Sequence, residues 1–288
     1  LRAQSTGYLM FKVKLMNKRD FFFATKLANT MDWNMAKADF EFMKFLEPEG
    51  CFVLYEGSKK AGIATCVSYD EIGWFGNLIV KQEYRNRGGG RVLVNRALDH
   101  LIAKGVKTIG LYAYPNLVDF YSSLGFKLDE DFSVLYAHPL GLFKSKHLPT
   151  IGEQHFKSVS KVDRQCFGGD RKRLLESIFL EPNNVNCYVS EDNEVLGYVA
   201  STVNQSMAWI GPLICDASRP DVAILLVKAV LSKLHGKTVY TIVPKKNFFL
   251  FNSFINLGFR ESFFVSRMYF GETPAGNCIY LPESLERG

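Results

Sequence analysis

The run Val80-Lys-Gln-Glu-Tyr-Arg-Asn-Arg-Gly-Gly-Gly-Arg91 places three adjacent glycines among Arg85, Arg87 and Arg91. An apolar run, Gly76 to Val80, leads into it, and Val92, Leu93, Ala97, Leu98, Leu101 and Ile102 follow at helical spacing. A strand, a basic glycine loop and a helix in that order make an anion cradle. Glycines let backbone N–H groups approach a phosphate without a Cβ in the way, and a helix N-terminus adds unpaired donors and a positive dipole end. No Lys-Ser or Lys-Thr pair follows the last glycine, which excludes a Walker A loop. Gly88-Gly89-Gly90 also lacks the G-x-G-x-x-G spacing of a dinucleotide fingerprint. A plain glycine turn ahead of a capped helix remains the alternative for the loop alone.

Downstream, Thr108-Ile-Gly-Leu-Tyr-Ala-Tyr114 reads as a strand, Pro115-Asn116 as a break, and Leu117–Leu124 as a short helix ended by Gly125. Arg85-x-x-Gly88-x-Gly90 together with Phe120-Tyr-Ser-Ser-Leu-Gly-Phe126 resembles the GNAT superfamily of acyl-CoA-dependent N-acyltransferases. The two motifs stand in the family's order, with Gly125 lying 45 residues after Val80 (125 − 80). The resemblance covers Gly7 to Pro139.

The elements that must position these motifs occur twice. Helices at about Lys18–Asn29 and Ala36–Phe45 precede strands at Cys51–Glu56, Lys60–Tyr69 and Ile72–Val80, with Gly57-Ser58 as a hairpin turn. Strands near Phe126–Asp129 and Val134–Pro139 close the first half. The second half repeats the order: helices near Phe156–Cys166 and Arg171–Phe179, then strands at Val185–Glu191, Val195–Asn204 and Ala208–Cys215, with Asp192-Asn193 as the turn. A helix at Arg219–Leu234, a strand at Thr238–Val243, a helix at Phe248–Leu257 and a strand near Phe263–Phe270 complete it.

Matched positions differ in chemistry. Ser253-Phe-Ile-Asn-Leu-Gly-Phe259 aligns with the Tyr121 motif and puts Phe254 where Tyr121 stands. Asp216-Ala-Ser-Arg-Pro-Asp-Val222 replaces the glycine loop, with Ser218 suited to cap the helix and Pro220 to its first turn. The fold class expected is α/β (α+β): tandem GNAT folds, each a mixed, mostly antiparallel twisted sheet flanked by helices. The expected organisation is a GNAT domain with the acetyl-CoA site at 1–140, a linker at 141–152 and a degenerate, structural or substrate-shaping GNAT-like domain at 153–288. Asp163-Arg-Gln-Cys-Phe-Gly-Gly-Asp-Arg171 looks like a feature of the tandem branch. Its structural reading, a helix–turn–helix junction with Asp170 as N-cap, is preferred to a pocket lining.

The resemblance implies a sheet splayed between the strand ending at Val80 and the strand starting near Thr108, with the pantetheine arm of acetyl-CoA (coenzyme A) pairing with backbone at Leu78, Ile79 and Val80. It assigns the Leu78 amide to the thioester carbonyl. The pyrophosphate falls to the loop Arg85, Arg87, Gly88, Gly89, Gly90 and Arg91, and the general acid to Tyr121. Many relatives carry an Asn about seven residues before the Tyr; Tyr114 stands there, and Asn116 is either a coenzyme contact or a helix cap. No Glu lies within Gly73–Val80. Asp70 and Glu71 are the carboxylates nearest that strand, as a base acting through water or as plain turn residues. Trp33, Tyr69, Trp74 and Phe75 form either an aromatic wall for the amine or ordinary core.

Composition sets the remaining bounds. The 288 residues suffice for two domains, and a 47% hydrophobic content argues for a folded chain. The net charge of +6 is spread along the sequence and demands no nucleic acid. No apolar run approaches the ~20 residues of a bilayer span. The six cysteines show no C-x-x-C pair, so reduced thiols in a cytoplasmic protein are expected and no metal site is. The function expected is transfer of an acetyl group from acetyl-CoA to a small-molecule amine or amino-acid-like substrate by direct attack in a ternary complex. No nucleic acid or membrane partner is expected, and a homodimer is left open. An acyl-CoA-binding sensor without turnover is the alternative.

Overall fold

The computed structural model describes residues 11–138, 145–274 and 276–288. Gly7, Pro139 and residues 141–144 of the expected linker lie outside them, and residues 145–152 form neither helix nor strand. The chain divides into two compact units. One takes the described residues through Ser68 together with Gly73–Val106, and the other takes Tyr69–Ile72 with the described residues from Lys107 onward.

The first unit is a sheet in the order β1 (Phe11–Leu15), β2 (Cys51–Glu56), β3 (Lys59–Tyr69), β4 (Ile72–Val80). Helices α1 (Phe21–Ala28), α2 (Lys37–Leu46) and α3 (Gly89–Ala103) accompany it. Strand β1 went unread in the sequence, although Phe11-Lys-Val-Lys-Leu15 alternates apolar and charged residues as an edge strand does. It pairs antiparallel with β2, Phe11 opposite Glu56 and Leu15 opposite Phe52. Phe21, Ala24, Leu27, Phe40 and Met43 from α1 and α2 pack with Cys51, Val53 and Ile63 into one core cluster. In α3 the buried stripe is Leu93, Val94, Ala97, Leu98 and Leu101, while Val92 and Ile102 are exposed. That corrects the expected face: at about 100° per residue Val92 and Ile102 point away from the stripe's centre, and Val94 falls inside it.

The second unit is a sheet in the order β5 (Thr108–Ala113), β11 (Arg260–Phe270), β6 (Lys127–Ala137), β10 (Thr238–Pro244), β9 (Met207–Asp216), β8 (Glu194–Val203), β7 (Val185–Glu191), with β12 (Cys278–Leu281) added to β9. Among the described residues its strands pair antiparallel, except that β9 and β10 are parallel. Helices α4 (Val118–Ser122), α5 (Phe156–Phe167), α6 (Lys172–Leu180), α7 (Pro220–Leu231) and α8 (Phe248–Asn256) belong to it. The fold is thus mixed α/β with a mostly antiparallel, twisted sheet and flanking helices, as the sequence indicated.

Two features were not expected. Residues 127–137 form one continuous strand, where two short ones were expected. That strand leaves its own half: β6 pairs with β10, while β11 of the second half inserts between β5 and β6. The halves exchange their closing strands, which is why residues after Val106 cluster with the second half. The hairpin turn at Asp192-Asn193 stands as read, both residues having positive φ (49° and 65°).

Candidate active site

The glycine loop joins β4 to α3 through left-handed residues. A short 3-10 turn at Gln82–Tyr84 ends β4's exit, Asn86 and Gly88 adopt φ of +58° and +85°, and α3 begins at Gly89. No side chain among the described residues caps α3, and the Val92 N–H donates to the Gly88 carbonyl at 3.1 Å. The amides of Gly89 and Gly90 therefore precede the intrahelical ladder. A Cβ added to Gly88 would meet no protein atom within 4 Å, whereas one on Gly89 would sit 2.7 Å from Leu54 Cδ2. Gly88 thus faces open space, and Gly89 lets the helix seat on the sheet. Arg85 Nε donates to the Val80 carbonyl (2.9 Å), and Arg87 pairs with Glu56 over the Phe11 and Tyr84 rings. Arg91 is exposed on the first turn. These groups fit a pyrophosphate: left-handed glycine, uncapped helix terminus and flanking guanidinium groups.

Strand β4 carries Leu78, Ile79 and Val80, of which Ile79 is buried and the other two half-buried. Asn77, within the strand, has φ +52° and is buried. Its Nδ2 donates to Thr65 Oγ1 on β3 at 3.0 Å. Neither residue was singled out in the sequence; the only signal was an Asn inside an apolar strand. Trp74 and Phe75 are fully buried, and Trp33 packs on the α1–α2 cluster. Nearby, Glu47 is a buried carboxylate gripped by Lys104 Nζ (2.6 and 2.8 Å), Ser68 Oγ (2.5 Å) and His100 Nε2 (3.3 Å). Burial raises its pKa, but the bonds from Lys104 and Ser68 outweigh that and hold it below the usual range.

The other candidates lie in the second unit. Tyr121 is buried on α4, its ring edge-to-face with Phe126 at 5.8 Å, and burial raises the phenol well above its ordinary value. Asn116 is exposed in the middle of a 3-10 turn at Pro115–Leu117, and neither that turn nor α4 has a side-chain cap, so its reading as a helix cap falls. Asp70, left-handed at φ +60°, is ion-paired with Arg164 at 2.9 Å. Glu71 pairs with Lys107 at 2.5 Å, and both carboxylates are exposed. Tyr69 is buried, donates to the Arg287 carbonyl (3.1 Å) and meets Phe167 edge-on at 5.4 Å.

Comparison with known proteins decides the family. The acetyltransferase (GNAT) family model matches residues 18–126, and a second acetyltransferase (GNAT) domain model matches residues 159–279. The chain is a tandem GNAT protein. It is an acyltransferase enzyme by that family membership. It is 25% identical over 225 residues to the uncharacterized N-acetyltransferase YitH of Bacillus subtilis (strain 168), covering 76% of this chain and 78% of that protein. It is 24% identical over 266 residues to the holothin acyltransferase of a Pseudoalteromonas species (strain SANK 73390), covering 89% and 87%. In fold it matches a putative acetyltransferase from Pyrococcus horikoshii, with a TM-score of 0.81, 19% identity and coverage of 100% and 99%. A tandem GNAT protein from the clavulanic acid biosynthesis pathway, solved without AcCoA, matches with a TM-score of 0.64, 13% identity and coverage of 92% and 100%.

The second GNAT half repeats the turn of the Tyr121 motif with Phe254 in place of the tyrosine. Phe254 meets Phe259 edge-to-face at 5.0 Å, and the Gly125 and Gly258 turns have φ of 92° and 93°. In both turns the aromatic residue's carbonyl, Tyr121 or Phe254, accepts from the N–H groups three and five residues on. The loop ahead of α7 is different. Asp216 Oδ1 accepts from the Ser218 N–H and hydroxyl (both 2.7 Å), and Arg219 pairs with Glu191 and Asp221. Ser218 therefore does not cap α7, whose N-cap is Arg219. The wedge between β9 and β10 is also filled. Their pairing ends at Ile210–Thr241, and beyond it β12 pairs with β9 from Leu213 to Asp216 and touches β10. A Cβ on Gly211 would lie 2.0 Å from the Pro282 carbonyl oxygen.

The Asp163–Arg171 segment is a buried ion pair at the corner between α5 and α6. Arg171 donates from Nε and Nη2 to the two Asp163 oxygens (3.1 and 2.6 Å) and from Nη1 to the Gly288 main-chain oxygen (2.9 Å). Tyr198 donates to Asp163, and the guanidinium lies 4.1 Å from the Phe167 ring centroid. Gly168 and Gly169 lie against Ile72 and the Tyr69 carbonyl, where a Cβ would sit at 2.8 and 2.4 Å. Asp170 Oδ1 accepts from the Lys172 N–H at 2.8 Å, close to its expected cap role, although Arg171 occupies the N-cap position. The expectation of six reduced thiols is corrected: Cys166 and Cys278 form a disulfide across 112 residues, a pairing no local spacing announces. Cys51, Cys66, Cys187 and Cys215 are free and buried, as read.

Proposed function

We propose that the first half, residues 1–140, binds acetyl-CoA and transfers its acetyl group to a primary amine of a small molecule, and that residues 153–288 shape the acceptor side without binding a second donor. The observation that carries this reading is the uncapped α3 terminus behind left-handed Gly88, open to a ligand in the first half and replaced by a self-paired acidic loop in the second. Arg85, Arg87 and the amides from Gly88 to Arg91 hold the pyrophosphate; Leu78, Ile79 and Val80 offer strand backbone to the pantetheine arm. Acetyl-CoA supplies the thioester. The neutral amine nitrogen attacks its carbonyl carbon, the C–N bond forms, the C–S bond breaks, and the thiolate takes the Tyr121 phenolic proton. A phenol is protonated at neutral pH, as a donor must be, and burial raises its pKa further, which makes it a weaker acid. Asp70 and Glu71 receive the amine's proton through water; their exposed ion pairs favour the alternative, a sensor that binds the donor without turnover. A relative called a holothin acyltransferase supports a small acceptor.

Thiol release from acetyl-CoA across a panel of primary amines tests the reading. The unsubstituted protein should turn over, and Tyr121→Phe should lower turnover ~10²–10⁴-fold with coenzyme affinity little changed. Coenzyme binding without release for any amine establishes the sensor; unchanged turnover in Tyr121→Phe, with chemistry rate-limiting, removes the acid role.

A further inference from the structure

The six cysteines fall into two chemical groups. Cys51, Cys66, Cys187 and Cys215 are buried thiols, and burial pushes each of them up, to about 12 for Cys51, Cys187 and Cys215. The thiolate is the reactive form, so these four are inert near neutral pH. Cys166 and Cys278 are half-buried and already joined. Thiol–disulfide exchange is therefore confined to the one pair that solvent reaches.

The bridge acts on the end of a helix. Cys166 is next to last in α5, and Cys278 opens β12, which pairs with β9 from Cys278–Asp216 to Leu281–Leu213. The last turn of α5 is thus pinned to a sheet strand. The segment ahead of β12 lies close as well: a Cβ on Gly276 would sit 2.6 Å from the Cys166 carbonyl oxygen. Residues on either side of Cys166 hold the Tyr69–Ile72 turn. Arg164 pairs with Asp70 at 2.9 Å, and Phe167 meets the Tyr69 ring edge-on at 5.4 Å. A Cβ on Gly168 or Gly169 would strike Ile72 or the Tyr69 carbonyl. The Arg164–Asp70 pair is exposed and contributes little by itself. The packed ring and glycines carry the coupling, because close-packed interiors transmit displacement.

We propose that Cys166–Cys278 is a redox switch on acyl transfer: the disulfide fixes the end of α5 against the turn that carries Asp70 and Glu71, and reduction releases it and lowers turnover of the amine. This rests on the proposed acetyl transfer, in which those carboxylates receive the amine's proton through water. A dithiol reductant supplies two electrons and two protons. Its thiolate attacks one sulfur of the bridge and the S–S bond breaks. Its second thiol then displaces the mixed disulfide, leaving Cys166 and Cys278 as thiols and the reductant as a cyclic disulfide. Glutathione disulfide reverses the step and leaves as two glutathione thiols.

The test measures acetyl transfer to the best amine of a primary-amine panel, read as N-acetylated amine by mass spectrometry, since a thiol assay would count the reductant. Alkylation of the native protein counts free thiols in parallel. Reduced protein should be alkylated at Cys166 and Cys278, with kcat/KM for the amine at least about fivefold lower, the low end of ordinary coupling between sites. Coenzyme A affinity by calorimetry should change by less than about threefold. Across glutathione buffers of graded ratio, rate and thiol count should share one midpoint, and reoxidation should restore the rate. Cys278→Ser should sit at the reduced rate and ignore the buffer. Gly169→Ala, which presses on the Tyr69 carbonyl, should approach that rate with the bridge intact.

Equal kcat/KM in oxidised and reduced protein would overturn the assignment. So would a bridge that no glutathione ratio opens, a Cys278→Ser rate that still follows the buffer, or full activity in Gly169→Ala. A loss of coenzyme A binding that matches the loss of rate is unfolding, and overturns it too. No acetyl transfer by the oxidised, unsubstituted protein removes the parent reading, and this one with it; transfer that is indifferent to the bridge removes this one alone.

Discussion

Replacing Arg171 by Met isolates the energetics of the buried corner. The Arg171 and Asp163 side chains are 0% and 1% exposed, and two N–H···O bonds join them. Methionine fills much of the same volume but strands the Asp163 carboxylate, leaving it the Tyr198 hydroxyl as a donor among the bonds described. It also forfeits the bond to Gly288 and the contact with the Phe167 ring. Breaking one side of a buried pair costs about 3–5 kcal/mol. For 288 residues melting as one unit, about 4 kcal/mol lowers Tm by roughly 6–7 °C. Urea denaturation and thermal melts would measure it. The physical cause separates in the double variant: Asp163→Leu with Arg171→Met removes both charges, and stability should return to within about 1–2 kcal/mol of the parent. A single-variant loss below about 1 kcal/mol, or a double variant no better than the single, would refute the account of a stranded charge.

Three further outcomes follow from the same structure. Reducing Cys166–Cys278, or substituting Cys278→Ser, reopens a 112-residue loop, and chain entropy sets the loss at up to about 4.8 kcal/mol, read as a lower Tm with dithiothreitol. The Glu47 pKa is depressed on folding, so its contribution is present above the unfolded value of about 4.3 and lost as pH falls through the folded one; Glu47→Gln should lower the urea midpoint at pH 7, with the gap closing near pH 3. Coenzyme A should bind one per chain by calorimetry, and Gly88→Val, which puts a branched side chain at φ +85° in the open cradle, should weaken it at least ~10-fold; a second site or undiminished binding would contradict the single cradle.

Much of the local structure around the candidate site was legible because its signals are local. Gly88 at the helix start, the Tyr121 turn closed by Gly125, the Asp192-Asn193 hairpin and the loss of both motifs in the second half all follow from residue types at short spacing. There, backbone conformation is governed by sterics within a few residues. The α3 face was misassigned at Val92 and Ile102, two apolar residues that stand off the stripe, and at Val94, which lies inside it. What the sequence could not state depends on partners far along the chain. The course of β6, an unbroken strand shared with β10 and β11, is fixed by backbone bonds across more than 100 residues. The same holds for β12 filling the wedge beside β9, for the Cys166–Cys278 bond and for the charge pair at Arg171 closed by Gly288. Asn77 stands between the two cases. Its residue type permits a left-handed kink, but only burial against Thr65 on the adjacent strand selects it. Short-range sterics wrote the motifs into the sequence, and the pairing of distant strands decided how the sheet around them is ordered.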